Sequence, residues 1–366
     1  MNNNLIKPKR RYVNEPQNYV KPTDILHSQT DGIIRLSESE LEDQVVKLFD
    51  TMLANFWKPK STKLSPDLQK LSEIPTDLLD TIFKSLAQLT ALDSFNTINP
   101  MDIDKYLKYP EFSLLLAYQA GQEAVHTTSY SYMFETFIVD KNERLRVYNL
   151  AISDPHIVKR NQFIIQFFDQ MDYEIKHNQG QVTPETLGKA ILAIYILEGI
   201  FFYNTFTFFH KIAHTFGYMN QVETIISEIK RDEVIHIAIF QLIINTIRSN
   251  NNGKFLIPDS EIEEIISQAI AIETDYSIHS YNNLIGMNET TISIYTKYLG
   301  NKLLRRIGLP DNKFHEYTKN PNKLFDDKFD QELNGVSPYG NIEADNNVFV
   351  KTSSDYIQID KQSLFS

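Results

Sequence analysis

The chain has 366 residues, 47 acidic and 36 basic residues, a formal net charge of −11 and no cysteine. The missing thiols exclude disulfides, zinc–thiolate sites, iron–sulfur clusters and thiol catalysis by this chain, and the acidic balance argues against a nucleic-acid surface. The length suits two average domains or one large helical one, and an internal repeat that crosses the midpoint favours a single core.

Residues 1–37 are polar, carry Pro8, Pro16 and Pro22, and read as a flexible, extended arm. Its basic run Lys7-Pro-Lys-Arg-Arg11 reads as solvated. These first residues lack the apolar core of a secretory signal, so a cytoplasmic protein is expected. A helix starting from Ser37 or Ser39 runs through Leu41, Val45, Leu48, Met52 and Leu53 to Phe56-Trp-Lys-Pro59, where proline ends it. A second starts at Pro75 and carries the stripe Ile82, Leu86, Leu89 and Asp93. A third starts near Pro110 with the stripe Phe112, Leu116, Gln119, Glu123, His126, Tyr130 and Met133. Shorter helices follow at about 141–150 and 155–177.

Pro184 opens a long apolar helix in which Glu198 is the only charge between Ile191 and Phe209. Its length raises a transmembrane reading, but Glu198, Asn204 and two threonines and the lack of a comparable neighbour favour the central helix of a soluble bundle, with no membrane partner. A helix from about Val222 breaks at Asn250-Asn-Asn-Gly253, and two amphipathic helices follow at roughly 259–285 and 288–307. Beyond about residue 320 the chain turns rich in Asn, Asp, Ser, Pro and Gly and ends on an apolar tip. The expected organisation is an arm over 1–37, an all-α domain over 38–310 and a flexible tail over 311–366, with no strand-rich segment.

Lys230-Arg-Asp-Glu-Val-Ile-His236 interrupts an apolar helical pattern with charge. Glu233 and His236, three apart, share a face with Val222, Ile226, Ile229, Phe240 and Ile243, so a carboxylate and an imidazole point into the core. Buried bare, they would cost several kcal/mol, and a metal ion suits both ligand types. Glu123-Ala-Val-His126 repeats the pattern. A third copy, Glu174-Ile-Lys-His177, precedes Asn178-Gln179-Gly180, where a helix should stop; a last-turn histidine is favoured by the helix dipole, so this copy reads as structural. Each of the first two copies is preceded by a helix carrying a single inward acid, Asp93 or Glu198, at intervals of 30 and 35 residues. Four carboxylates and two histidines facing a four-helix core are the di-iron or di-manganese ligand set of ferritin-like bundles. The expected fold is therefore an all-α, ferritin-like four-helix bundle core with additional packing helices.

Several motifs together resemble the small, radical-generating subunit of class I ribonucleotide reductase, in that family's order: Phe-Trp-Lys-Pro around Trp57, Leu-Asp-Ser at 92–94, Glu-Ala-Val-His-Thr-Thr-Ser-Tyr at 123–130, Leu-Glu-Gly-Ile-Phe-Phe-Tyr at 197–203 and Arg-Asp-Glu-Val-Ile-His at 231–236. The resemblance covers about Leu48 to Ile244 and the character of the tail. It implies that Asp93, Glu123 and His126 hold one metal and Glu198, Glu233 and His236 the other, with one or more glutamates bridging. A dinuclear iron or manganese centre, activated by oxygen or a derived oxidant, would then form a tyrosyl radical at Tyr130, shielded by Phe202, Phe206, Ile226 and Ile229. The resemblance also implies a relay from Trp57 through Asp232 and His126, with Tyr356 (Tyr339 is a weaker rival) carrying the oxidation to a large-subunit cysteine, where ribonucleoside diphosphates are reduced. A chain without thiols requires such a catalytic partner. Docking through the tail, with Leu364-Phe365 at its tip, and a homodimer are implied as well. Gln119 stands where some members carry tryptophan. The competing readings are a ligand-binding di-metal oxidase of the same fold and a ferritin-like metal-storage protein.

Overall fold

In the computed structural model, which describes residues 5–9, 22–30, 32–36, 39–282 and 287–310, most helices begin where the sequence supplies a capping side chain or a proline. Ser39 accepts from the Glu42 amide and opens α1 (Glu40–Ala54). Pro66 sits in the first turn of α2 (Ser65–Lys70), and Pro75 immediately precedes α3 (Thr76–Asn96). Pro100 starts the short α4 (Pro100–Asp104), which leads to α5 (Phe112–Phe137). Asp140 caps α6 (Lys141–Ser153), and Asp154 and Thr183 cap α7 (Pro155–His177) and α8 (Pro184–Ile196), each of which begins on proline. α9 (Tyr203–Phe216), α10 (Asn220–Asn250), α11 (Asp259–Tyr281) and α12 (Glu289–Arg306) complete the set. The side-chain oxygens satisfy first-turn amides that lack an intrahelical partner, and proline there forfeits a donor the helix does not use.

Among the described residues there is no β-strand; one isolated antiparallel bridge joins Ile6 to Val182. Parts of the stretch read as a solvated arm lie against the helices instead. Ile6 and Ile25 are wholly buried, and Lys9 Nζ sits 2.7 Å from Asp104 Oδ1 with its side chain covered. Three scattered apolar residues, Ile6, Ile25 and Leu26, are enough to pin a polar segment to the core.

The long apolar helix expected from Pro184 onward is not continuous. Between α8 and α9 the chain winds as a π-helix over Leu197–Phe201, a geometry that inserts into α-helices mostly at functional sites. The most apolar 18-residue window between Pro184 and Phe216 is wholly enclosed by protein, which accounts for its apolarity without a membrane. α5 packs on α3 and α10, and α10 packs on α8, the π segment and α9, so the four helical layers expected to carry the six candidate ligands form one core. α7, α11 and α12 cover its outer side.

A buried ion pair ties that cover to the core. Arg160 on α7 is wholly buried, with Nε 2.7 Å from Glu273 Oε2 on α11 and its guanidinium over the rings of Tyr276 and Phe201. The other Glu273 oxygen accepts from Asn204 Nδ2 on α9 and Ser277 Oγ. Arg160→Met strands the Glu273 charge, so we expect it to lower the unfolding free energy by about 3–5 kcal/mol, measured by urea denaturation. A loss no larger than that of an exposed pair, about 1 kcal/mol or less, would contradict this assignment.

Candidate metal centre

Asp93 projects from α3, Glu123 and His126 from α5, Glu198 from the π segment, and Glu233 and His236 from α10; all six are wholly buried. The i, i+3 spacing in α5 and α10 sets each glutamate beside its own histidine, but the oxygens are shared more widely. His126 Nδ1 lies 3.2 Å from Glu123 Oε2, 3.2 Å from Glu233 Oε1 and 3.7 Å from Asp93 Oδ2. His236 Nδ1 lies 2.7 Å from Glu233 Oε2, 3.2 Å from Glu123 Oε1 and 3.6 Å from Glu198 Oε1. Glu123 and Glu233 thus turn one oxygen toward each histidine, whereas Asp93 and Glu198 each face one. Two overlapping ligand groups result, Asp93–Glu123–His126–Glu233 and Glu123–Glu198–Glu233–His236, with the ligand atoms of each within 4.8 Å of one another.

The charges fit a pair of divalent cations. Both Asp93 oxygens, Glu123 Oε1, Glu198 Oε2 and Glu233 Oε1 are buried without a hydrogen-bond partner. Burial, reinforced by the neighbouring glutamates, pushes the Asp93 and Glu198 carboxyls well above the usual carboxylate range. Burial opposes protonation of both imidazoles, yet the surrounding carboxylates hold them well above their ordinary values. Glu233 is held low despite burial, because two imidazoles flank it. Protein alone balances this cluster only by taking up protons, and bound metal ions replace those protons.

Both histidines are oriented from behind. His126 Nε2 is 3.2 Å from Asp232 Oδ2, and the same oxygen accepts from Trp57 Nε1 at 2.8 Å, while the Trp57 and His126 rings stack at 6.0 Å. The Trp57–Asp232–His126 chain expected from the sequence is therefore continuous. His236 Nε2 instead meets Gln122 Oε1 at 3.2 Å. With ions bound, the outer nitrogen of each ring would donate to these partners and leave the Nδ1 lone pair for the metal. Tyr130 is wholly buried beside Asp93 without hydrogen-bond alignment; burial first, then the Asp93 carboxylate, push its phenol well above the ordinary range. Phe202, Phe206, Ile226 and Ile229 are all buried, with the two phenylalanine rings stacked at 5.7 Å.

The third Glu-x-x-His is structural, as its place at a helix end suggested. Glu174 accepts from the Thr183 amide at 2.6 Å and from Thr186 Oγ1 at 2.8 Å, and His177 ends α7 with Nδ1 2.7 Å from the Tyr173 carbonyl. Two residues of the site escaped the sequence reading. Asn96 Nδ2 donates to Glu198 Oε1 at 3.0 Å, beside Gln119 Nε2 at 2.7 Å, and Gln122 orients His236. Asn96 follows Asp93 by three residues and Gln122 precedes His126 by four, so helical spacing from the ligands was the available signal. Tyr356, Tyr339 and Leu364-Phe365 lie outside the described residues.

Residues 41–321 match the family model described as ribonucleotide reductase, small chain. The chain is 30% identical over 269 residues to a ribonucleoside-diphosphate reductase subunit beta of Treponema pallidum, covering 72% of this chain and 73% of the relative. It is 26% identical over 309 residues to a subunit of the same description from Halalkalibacterium halodurans, covering 82% and 85%. The solved ribonucleotide reductase R2 subunit from Clostridium botulinum superposes with a TM-score of 0.78 at 29% identity, over 89% of this chain and 99% of that one.

The shared geometry of Glu233 separates it from Glu198 in one measurement. Metal-free chain reloaded with ferrous or manganous ion should hold about two ions at this centre; relative to wild type, Glu198→Ala should lose about one ion and Glu233→Ala about two. Equal counts in the two variants would refute the sharing. Asp232→Asn should weaken metal affinity by about 10–100-fold while the helical content stays unchanged by circular dichroism.

Proposed function

The chain belongs to the small-chain family of ribonucleotide reductase and is a ribonucleoside-diphosphate reductase subunit beta, and on that premise we propose that its buried clusters hold a dinuclear iron or manganese centre that generates a radical at Tyr130. The observation that carries the proposal is the sharing of Glu123 and Glu233 between two histidines, with Tyr130 alongside in a core closed to water. When bound, the centre supplies a one-electron oxidant drawn from oxygen or an oxygen-derived species.

The chain's own residues determine where that oxidation goes. Tyr130 gives up an electron together with its phenolic proton, and the neighbouring Asp93 carboxylate is the acceptor at hand. Phe202, Phe206, Ile226 and Ile229 keep water and reductants from the oxidised ring. Asp232 holds His126 and the Trp57 indole on one oxygen, so a single hydrogen-bonded path leaves the core. Trp57 is only partly covered, which puts the outer end of that path near the surface. A small subunit implies a large-subunit partner. In this reading Tyr356 carries the oxidation across the contact, the tail over 311–366 docks, two copies pair as a homodimer, and the work is done in the cytoplasm.

Electron paramagnetic resonance on chain reconstituted with ferrous iron and oxygen, and in parallel with manganese and an oxidant, tests this directly. Wild type should give a tyrosyl signal, and Tyr130→Phe should lose it at unchanged metal content; a signal that survives the substitution would move the radical elsewhere. Removing the residues after Gly335 should leave the signal intact and abolish turnover with the large subunit, whereas full turnover would exclude the tail from docking.

A further inference from the structure

A second group of metal-ligating side chains lies apart from the dinuclear centre, where α9 turns into α10. His210 and His214 stand one turn apart on α9, and Glu223 lies in the first turn of α10. Between them the left-handed residues Gly217 (φ 69°) and Met219 (φ 55°) reverse the chain and bring the two helix ends together. One nitrogen of each histidine and one Glu223 oxygen lie within 4.8 Å of one another.

The details are those of a ligand set more than of an ion pair. His210 is 2% exposed, and its Nδ1 approaches Glu223 Oε1 to 2.6 Å outside hydrogen-bond alignment, so a buried nitrogen and a carboxylate oxygen face the same point. Ser227 Oγ donates to that same Glu223 oxygen at 2.9 Å and holds the carboxylate in place. The nearby cation is Lys230, itself buried and pushed down to about 7. A His210–Glu223 pair alone gives no reason for the exposed His214 to converge on the same point, and His214 leaves the outer side open to water.

We propose that His210, His214 and Glu223 form a mononuclear site for a divalent first-row transition-metal ion, with water completing its coordination. Two imidazoles at i, i+4 on one helix face plus one carboxylate suit zinc and its neighbours in that row. The site joins the helix that continues from the Glu198 segment to the helix that carries Glu233 and His236, and it stands whether or not the dinuclear centre makes a radical.

The test counts zinc on the full-length chain, stripped of metal, saturated with zinc chloride, desalted and measured by inductively coupled plasma mass spectrometry. His214→Ala and Glu223→Gln should each bind about one zinc ion fewer per chain than wild type, and His214→Asp should restore the lost ion. Because His214 is exposed, its variants keep the fold, which circular dichroism checks. An unchanged zinc count in His214→Ala overturns the proposal. So does a loss in His214→Ala that folded Glu223→Gln does not share, since that pattern belongs to a surface histidine acting alone.

Discussion

Everything in this molecule is subordinate to keeping four carboxylates and two imidazoles in a core that water does not reach. Unpaired, such charges would cost far more than any helix packing returns. The cost is lifted only if cations stand among them, and the helices are arranged to make that geometry unavoidable. α5 and α10 each present a glutamate and a histidine from one turn, and the two turns face each other so that both glutamates reach both histidines. Phe202, Phe206, Ile226 and Ile229, all buried near the centre, keep the local dielectric low and the electrostatic attraction to a cation correspondingly strong.

The two halves of the centre are not equivalent. His126 is backed by the carboxylate of Asp232, and His236 by the amide of Gln122. A carboxylate behind an imidazole makes it a better electron donor than an amide does. The carboxylate-backed side is also the one hydrogen-bonded to Trp57, through the same Asp232 oxygen. On the other side Asn96 and Gln119 both donate to Glu198 Oε1, which pins that carboxylate to one orientation.

Much of this was legible in the sequence, because an α-helix converts spacing into direction. Glu123 with His126 and Glu233 with His236 fall on inward faces by period alone, and Asp93 and Glu198 are conspicuous as single charges on apolar stripes. The same logic set aside Glu174 and His177, whose helix was about to end. Proline and capping residues located most helix starts, although the short α2 and α4 carry too little periodicity to be seen. What spacing cannot give is the partner across the core. That Glu123 and Glu233 are the shared carboxylates, that Gln122 serves His236, and that Ile6 and Ile25 anchor the leading segment are tertiary facts. The π turn was hidden for a different reason: Leu197–Phe201 is as apolar as its flanks, and nothing in its composition marks a change of winding.

That π turn has a consequence best stated as phase. A π turn carries one residue more than an α turn, so the helix leaving it is rotated by about 100° relative to an uninterrupted continuation. α9 is therefore out of phase with α8, and its inward side is set by the insertion. Asn204 meets Glu273 and His210 meets Glu223 only in the shifted phase. Were the segment to rewind as α with α8 and Glu198 held in place, α9 would turn and both of those contacts would swing away together. One surplus residue thus keys the central ligand, the buried Arg160–Glu273 brace and the histidine pair near the end of α9 to a common register.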